Sequence, residues 1–236
     1  MSNQKIVTLG SGAMFDVVAP RYDLLNRILS MGLDQSWRRA AVSALDLGAS
    51  PFVLDLATGT GDLAIMLARR HPGARIVGLD SSKRMLERCR RKLETAGMLP
   101  RVALVVGDAQ SLPFGDACFD AVTMAFGIRN LPDRPRALAE MSRVLKPGGR
   151  AAILELTEPR GGIVGRLARL YLGVLVPRLG ALLSAPGAYR YLRRSIIEFP
   201  HPDEFAAMLR RAGFEKERMT PFTFGVCHLF LAMKRG

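Results

Sequence analysis

Cysteine is scarce: Cys89, Cys118 and Cys227 lie far apart with no Cys-x-x-Cys spacing, a pattern that argues against a disulfide framework and a cysteine-built zinc site. A reducing cytoplasm is the expected setting, with no bound metal. Histidine is as rare, at three residues; His71 and His201 read as loop or cap residues, leaving His228 as the histidine that can approach a cleft. No stretch reaches the roughly 18 uninterrupted apolar residues of a membrane-spanning helix. No apolar run follows a basic segment at the start either, so neither spanning nor secretion is expected. Internal repeats and low-complexity linkers are lacking too. Acidic residues number 21 against 34 Lys and Arg, a net charge of +13. Such a surplus raises nucleic acid or an anionic membrane surface as partners. Much of it, however, is arginine spread along helical segments, as in Arg88, Arg90, Arg91 and Lys92, which reads as a solvated face.

What is present fits one α/β domain, since 236 residues with 49% hydrophobic content can bury a full core. Phe52-Val53-Leu54-Asp55-Leu56 is a short apolar run stopping at the glycine loop Ala57-Thr58-Gly59-Thr60-Gly61. Asp62 to Arg70 then shows helical spacing at Leu63, Met66 and Leu67. Arg75 to Asp80 predicts a second buried strand, and Ser81 or Ser82 caps the helix that carries Met85, Leu86, Cys89 and Leu93. Val102 to Asp108 and Phe119 to Met124 predict the third and fourth strands. Asp133 caps a helix with Leu138, Met141, Val144 and Leu145 inward, which Pro147-Gly148-Gly149 stops before a fifth strand, Ala151 to Leu156. A last helix, Pro202 to Ala212, stops at Gly213. Glu215 to Thr220 and Gly225 to Met233 follow as strands too closely linked for a helical crossover, hence antiparallel to each other. The expected fold is α/β and Rossmann-like, a seven-stranded, mostly parallel sheet with an antiparallel C-terminal hairpin and a helical cap. Its parts are a helical lid at 1–45, a cofactor-binding core at 46–158, a helical cap insert at 159–200, and the last helix with the closing hairpin at 201–236.

A glycine turn between a first strand and its helix lets backbone approach a ligand closely, and a carboxylate ending the next strand can accept both hydroxyls of a ribose. Gly59, Gly61 and Asp80 occupy those positions, with the 19-position separation of Gly61 and Asp80 matching one helix plus one strand. The relaxed dinucleotide fingerprint is also met, by Gly59-x-Gly61-x-x-Ala64. Asp55 weighs against it: an acid at this junction holds the turn or receives a cationic amino group, and it would repel a pyrophosphate. Asp108, followed by Ala109, ends the third strand where a carboxylate and the next amide can grip adenine, or where an acid simply caps the strand.

Three segments are more selective. They are Met14-Phe15-Asp16-Val17-Val18-Ala19-Pro20-Arg21-Tyr22-Asp23-Leu24-Leu25-Asn26 with Leu33-Asp34 and Trp37-Arg38; Ala125-Phe126-Gly127-Ile128-Arg129-Asn130; and Val144-Leu145-Lys146-Pro147-Gly148-Gly149-Arg150 with Glu155. Through them the chain, over nearly its whole length, resembles the menaquinone/ubiquinone biosynthesis C-methyltransferases, class I S-adenosylmethionine-dependent enzymes. The resemblance implies S-adenosylmethionine as cofactor, held by Thr60, Asp80, Asp108 with Ala109, and position 125. There Ala125 replaces the serine of some members and leaves only a backbone contact. Asp55, Gly59 and Gly61 complete the expected cofactor set.

The resemblance implies a prenylated hydroquinone as substrate, demethylmenaquinol first given the compact N-terminus; a ubiquinone precursor, or another phenol or polyketide, is the alternative. A ring carbon becomes the nucleophile when the neighbouring phenol loses its proton, and a nearby cation stabilises the phenolate. Arg129 with Asn130 is the candidate, unless Arg129 merely pairs with Asp16 or Asp23. Tyr22 or Asp23 in the lid can organise a water that takes the proton. Thr223 to His228 keeps the family's glycine turn but matches loosely beyond it. No Asn/Asp-Pro-Pro-Tyr/Phe loop follows the fourth strand, so nucleic acid is not expected as a partner. Pro159 to Ile197 holds no Asp or Glu but carries Arg160, Arg166, Arg169, Arg178, Arg190, Arg193 and Arg194. That pattern suits a cap over an apolar pocket, or a surface resting peripherally on anionic lipid at the inner face of the cytoplasmic membrane. A homodimer stays open.

Overall fold

The computed structural model describes residues 15–16, 19–159 and 186–236. Their elements run α1 (Tyr22–Leu29), α2 (Leu33–Ala44), β1 (Phe52–Leu56), α3 (Asp62–Arg70), β2 (Arg75–Asp80), α4 (Lys83–Thr95), β3 (Val102–Val106), β4 (Phe119–Ala125), α5 (Arg134–Val144), β5 (Leu145–Leu156), α6 (Pro186–Ile197), α7 (Pro202–Arg211), β6 (Phe214–Phe222) and β7 (Cys227–Lys234). The strands form one seven-stranded sheet in the order β3-β2-β1-β4-β5-β7-β6. β1 pairs in parallel with β2 and β4, and β7 runs antiparallel to both β5 and β6. The expected parallel sheet with an antiparallel closing pair is therefore the observed one. Arg160, Arg166, Arg169 and Arg178 of the expected cap lie outside the described residues.

Successive side chains on a strand point to opposite faces, so β1 feeds two cores. Val53 and Ile76 enter the layer closed by Trp37, Val42, Leu63, Leu67, Cys89 and Leu93 of α2, α3 and α4. Leu54, Leu56 and Leu79 enter the layer closed by Leu138, Met141, Phe205 and Leu209 of α5 and α7. Local chemistry sets the helix starts. Ser82 Oγ accepts from the Met85 N–H at 3.1 Å, and Asp133 Oδ1 accepts from the Arg136 N–H at 2.9 Å. His201 caps α7 in a reciprocal box with Glu204, so its predicted place as a cap residue is the observed one.

Two local readings change. Lys146-Pro147-Gly148-Gly149 does not separate helix from strand: α5 ends at Val144, and Leu145 already pairs with Phe119. The four residues bulge out of the ladder before Arg150 pairs with Ala121, with Gly148 in the left-handed region at φ 73°, where glycine bears no steric cost. Gly225 does not open the last strand either. It closes a one-turn 3-10 helix, Thr223–Gly225, and β7 begins at Cys227.

The order reverses direction at β1 and β4. In a doubly wound sheet the helices after neighbouring strands diverge at that point and leave a crevice at the carboxyl ends.

Candidate active site

The crevice is real. A cleft partly open to solvent is lined by Ala57, Gly59, Asp80, Asp108, Ala109 and Ala125, together with Phe15, Tyr22 and Asn130. The glycine loop forms its floor. Gly59 and Gly61 have φ of 57° and 85°, a region open to glycine without strain. Gly59 lines the cleft, whereas Gly61 serves packing, since a Cβ there would overlap the Cys89 sulfur of α4. Beside the loop, Asp80 ends β2 almost fully buried. Its Oδ2 accepts from the Gly59 N–H and its Oδ1 from the Ser82 N–H, both at 2.8 Å. Burial pushes its carboxyl above the ordinary range despite those amides. Each oxygen takes one fixed donor, so the carboxylate keeps capacity for the two hydroxyls of a ribose. Asp108 is exposed on the next wall, its Oδ1 held by the Gln110 N–H at 2.9 Å.

Asp55 and Thr60 are placed differently from the expectation that they face a ligand. Asp55 is 1% exposed and does not line the cleft. The Thr58 and Thr123 hydroxyls donate to its two oxygens at 2.6 and 2.7 Å, tying the loop to β4. Of the two roles the sequence left open for Asp55, the geometry takes the turn-holding one. Burial pushes its carboxyl up to about 6. The Thr60 hydroxyl donates to Asp23 Oδ1 at 2.5 Å, turning away from the cleft and toward the lid.

The N-terminal helix α1 is held by ions. Asp23 Oδ2 sits 3.1 Å from Lys92 Nζ, which also binds Asp62 closely. Lys92 is therefore no part of a solvated arginine face: its place on α4 turns it toward α1 and α3, and with both oxygens engaged Asp23 does not border the cleft. Asp16 accepts from Ser82 Oγ at 2.5 Å and from the Arg84 N–H at 3.2 Å, pinning the start of the lid to α4. Of the described N-terminal residues, Phe15 and Tyr22 line the cleft.

Past β4, Phe126 adopts a φ of 61°, and its carbonyl accepts from Arg129 Nη1 at 2.8 Å and Asn130 Nδ2 at 3.1 Å. Arg129 pairs with neither Asp16 nor Asp23. Its partner is Glu155 of β5, wholly buried, whose Oε1 lies 2.6 Å from Nη1 and whose Oε2 accepts the Arg129 N–H at 3.1 Å. Burial opposes the charge of Arg129, but Glu155, Tyr22 and Tyr191 more than offset it, and its pKa is raised. Asn130 borders the cleft with Arg129 behind it. Tyr191 of α6 donates to Asn130 Oδ1 at 3.0 Å, a contact the sequence reading missed because the arginines around Tyr191 dominate that segment. His228 packs onto Thr157 Oγ1 at 2.7 Å and does not border the cleft; burial holds its imidazole pKa down. Among the described residues no cluster of His, Cys, Asp and Glu could hold a metal ion.

This geometry can be set beside known proteins. Residues 3–234 match the family model of the ubiE/COQ5 methyltransferases. The chain belongs to that family. It is 50% identical over 214 residues to the demethylmenaquinone methyltransferase of Thermus thermophilus, covering 90% of this chain and 96% of that one. It is 47% identical over 223 residues to the protein of that name from Deinococcus radiodurans, covering 94% and 91%. To the ubiquinone/menaquinone biosynthesis C-methyltransferase of Geotalea daltonii it is 43% identical over 222 residues, 94% of each. A possible histamine N-methyltransferase from Thermotoga maritima shares the fold at a TM-score of 0.69 and 20% identity, covering 94% and 99% of the two chains. The [4+2]-cyclase SpnF shares it at 0.70 and 19%, covering 95% and 94%. At such identities the fold alone is shared. A member of the ubiE/COQ5 methyltransferase family is an S-adenosylmethionine-dependent methyltransferase, and the cleft fits that cofactor: Asp80 retains acceptor capacity beside a backbone that Gly59 leaves bare.

Proposed function

We propose that the chain methylates a ring carbon of a prenylated hydroquinone in quinone biosynthesis, with demethylmenaquinol as the acceptor. The observation that carries this reading is the Tyr22, Asn130 and Arg129–Glu155 constellation beside the cofactor wall of one cleft, in a chain whose relatives bear the names given above. Under this reading Asp80, Asp108, Ala109, Ala125 and the glycine loop hold S-adenosylmethionine, which supplies a methyl group already activated on a positively charged sulfur. Positioning then provides much of the acceleration.

What the protein must add is a carbon nucleophile, made by removing a phenolic proton. Tyr22 and Asn130 hold the water that takes it. Arg129 acts behind them through its charge, held in place by Glu155 and the Phe126 carbonyl and favouring the developing phenolate across Asn130. The relatives named for both quinones give a ubiquinone precursor as the second reading. Purified protein given labelled S-adenosylmethionine and each reduced quinone decides, with mass spectrometry locating the label. We expect label on the ring carbon of demethylmenaquinol. Label on oxygen, or none with either quinol, would remove the reading.

A prenyl tail partitions into lipid, and this reading extends to peripheral contact with an anionic membrane. Arg190, Arg193 and Arg194 are exposed on α6, whose Tyr191 reaches Asn130. Flotation with anionic and with neutral vesicles tests it, and equal recovery with both would leave α6 as a simple cap.

A further inference from the structure

Tyr191 of α6 has a place beside the site but no task yet. It lies on the inward face of its helix, one turn before the buried Ser195 and Ile196. Beyond the helix end, Phe199 is buried against Phe205, 5.1 Å between ring centres, and the guanidinium of Arg134 lies over its ring. Arg134 Nη2 in turn donates to the Arg129 carbonyl at 3.1 Å. These contacts seat α6 against the one-turn 3-10 helix Ile128–Asn130, which carries both Arg129 and Asn130.

An asparagine amide has two N–H donors and one acceptor oxygen, and which of them meets a ligand depends on how the group is turned. At Asn130 the amide is fixed from both ends. The Phe126 carbonyl can only accept, so the amide nitrogen must face it, as it does at 3.1 Å. Oδ1 then faces Tyr191, whose hydroxyl donates to it at 3.0 Å. Tyr191 is half-buried, and burial pushes its phenol pKa up, so this hydroxyl stays protonated, a donor, at neutral pH. What Asn130 has left for the cleft it lines is its second N–H. A donor is what an oxygen losing its proton needs, whereas an amide oxygen in the same place would repel the forming negative charge. We infer, resting on the quinol reading above, that Tyr191 is a positioning residue for the methyl transfer: it locks the Asn130 amide with an N–H, not the oxygen, turned to the acceptor's phenol.

The hold and its use can be measured separately. Asparagine occurs at positions 3, 26 and 130 alone, so protein carrying isotopically labelled asparagine gives three side-chain amide signals by NMR, and Asn130→Ala assigns the one in the cleft. Tyr191→Phe, which removes only the hydroxyl, should move that signal and leave the other two in place. Turnover of the quinol should fall about 10-fold. KM for the quinol and Kd for S-adenosylhomocysteine should each stay within about twofold of wild type. The remaining turnover of Asn130→Ala should fall no further when Tyr191→Phe is added, because the amide that Tyr191 turns is gone. An unmoved Asn130 signal, unchanged turnover in Tyr191→Phe, or a further loss in the double variant would overturn the inference, the last by showing that Tyr191 meets the substrate itself. A raised quinol KM at unchanged turnover would make Tyr191 a wall of the pocket and overturn it equally. Should wild type methylate no quinol, the functional reading falls, and the Asn130 signal still decides whether Tyr191 holds the amide.

Discussion

At the scale of single residues, the chemistry turns on where charges lose water. Arg129 and Glu155 are both buried, and Glu155 is further satisfied by the Leu156 N–H at 2.7 Å. Removing one partner strands the other. Arg129→Ala should therefore cost about 3–5 kcal/mol of stability, and Arg129→Ala with Glu155→Gln should recover much of that. Turnover should stay low, by about 100-fold or more, in both variants with cofactor affinity little changed. Denaturant unfolding beside steady-state kinetics reads the two quantities separately; full activity in the refolded double variant would take Arg129 out of the chemistry. Asp55 gives a pH signature. Burial raises its carboxyl from 3.8 to about 6, so the folded chain binds that proton more tightly than the unfolded one. Stability then falls as pH climbs from about 4 to 6, by about 3 kcal/mol in all. Asp80, also raised by burial, adds a slope of the same sign. Asp55→Asn should flatten the wild-type decline without abolishing it, as urea unfolding across that range would show; identical slopes would mean Asp55 does not titrate there.

At the scale of elements, α1 and the glycine loop are coupled through α4. Lys92 joins Asp23 of α1 to Asp62 of α3, and Gly61 lets the loop close against Cys89. Lys92→Met should free α1, speeding amide exchange over Tyr22–Leu29 while β1 and β2 stay protected, and should weaken cofactor binding. Unchanged exchange in α1 would show that other contacts hold the lid. Gly61→Ala meets two penalties, a positive φ and the overlap with the Cys89 sulfur, and should lose more than about 1 kcal/mol. Adding Cys89→Ala should recover part of that loss, because it relieves the overlap and leaves the backbone strain. Thermal melts of the three variants separate the contributions.

At the scale of the whole molecule, the two apolar layers share one sheet, so neither has an independent core. The chain should melt in a single transition. Saturation with S-adenosylhomocysteine at about 100 times its Kd should add about 2.7 kcal/mol, a rise of about 5–10 °C in the midpoint for a chain of this length. Calorimetry checks both, and a separate transition for the β6–β7 end would show that the sheet does not unfold as one.

The order of elements, the glycine loop, Asp80 at a strand end, the cap at Asp133 and a cap at Ser81 or Ser82, which the structure gives as Ser82, were all legible in the chain. Each depends on residues within a few positions or on the period of apolar residues along one element. Asp55 was legible only as a choice of two roles, because the hydroxyl that decides it, on Thr123, comes from another strand. The partners of the charges were not legible at all. Glu155 lies 26 positions from Arg129, and Asp23 lies 69 from Lys92, and sequence spacing carries no information on which cation meets which anion across such distances. The sequence by itself determined the strands, their helices and the glycine turn, because apolar alternation, caps and turns obey local geometry, whereas the order that puts β4 beside β1 came from long-range pairing. Only the tertiary structure decided that Arg129 answers to Glu155 and that Lys92 clamps α1 to α3, because each outcome depends on which side chains are brought together after water has left.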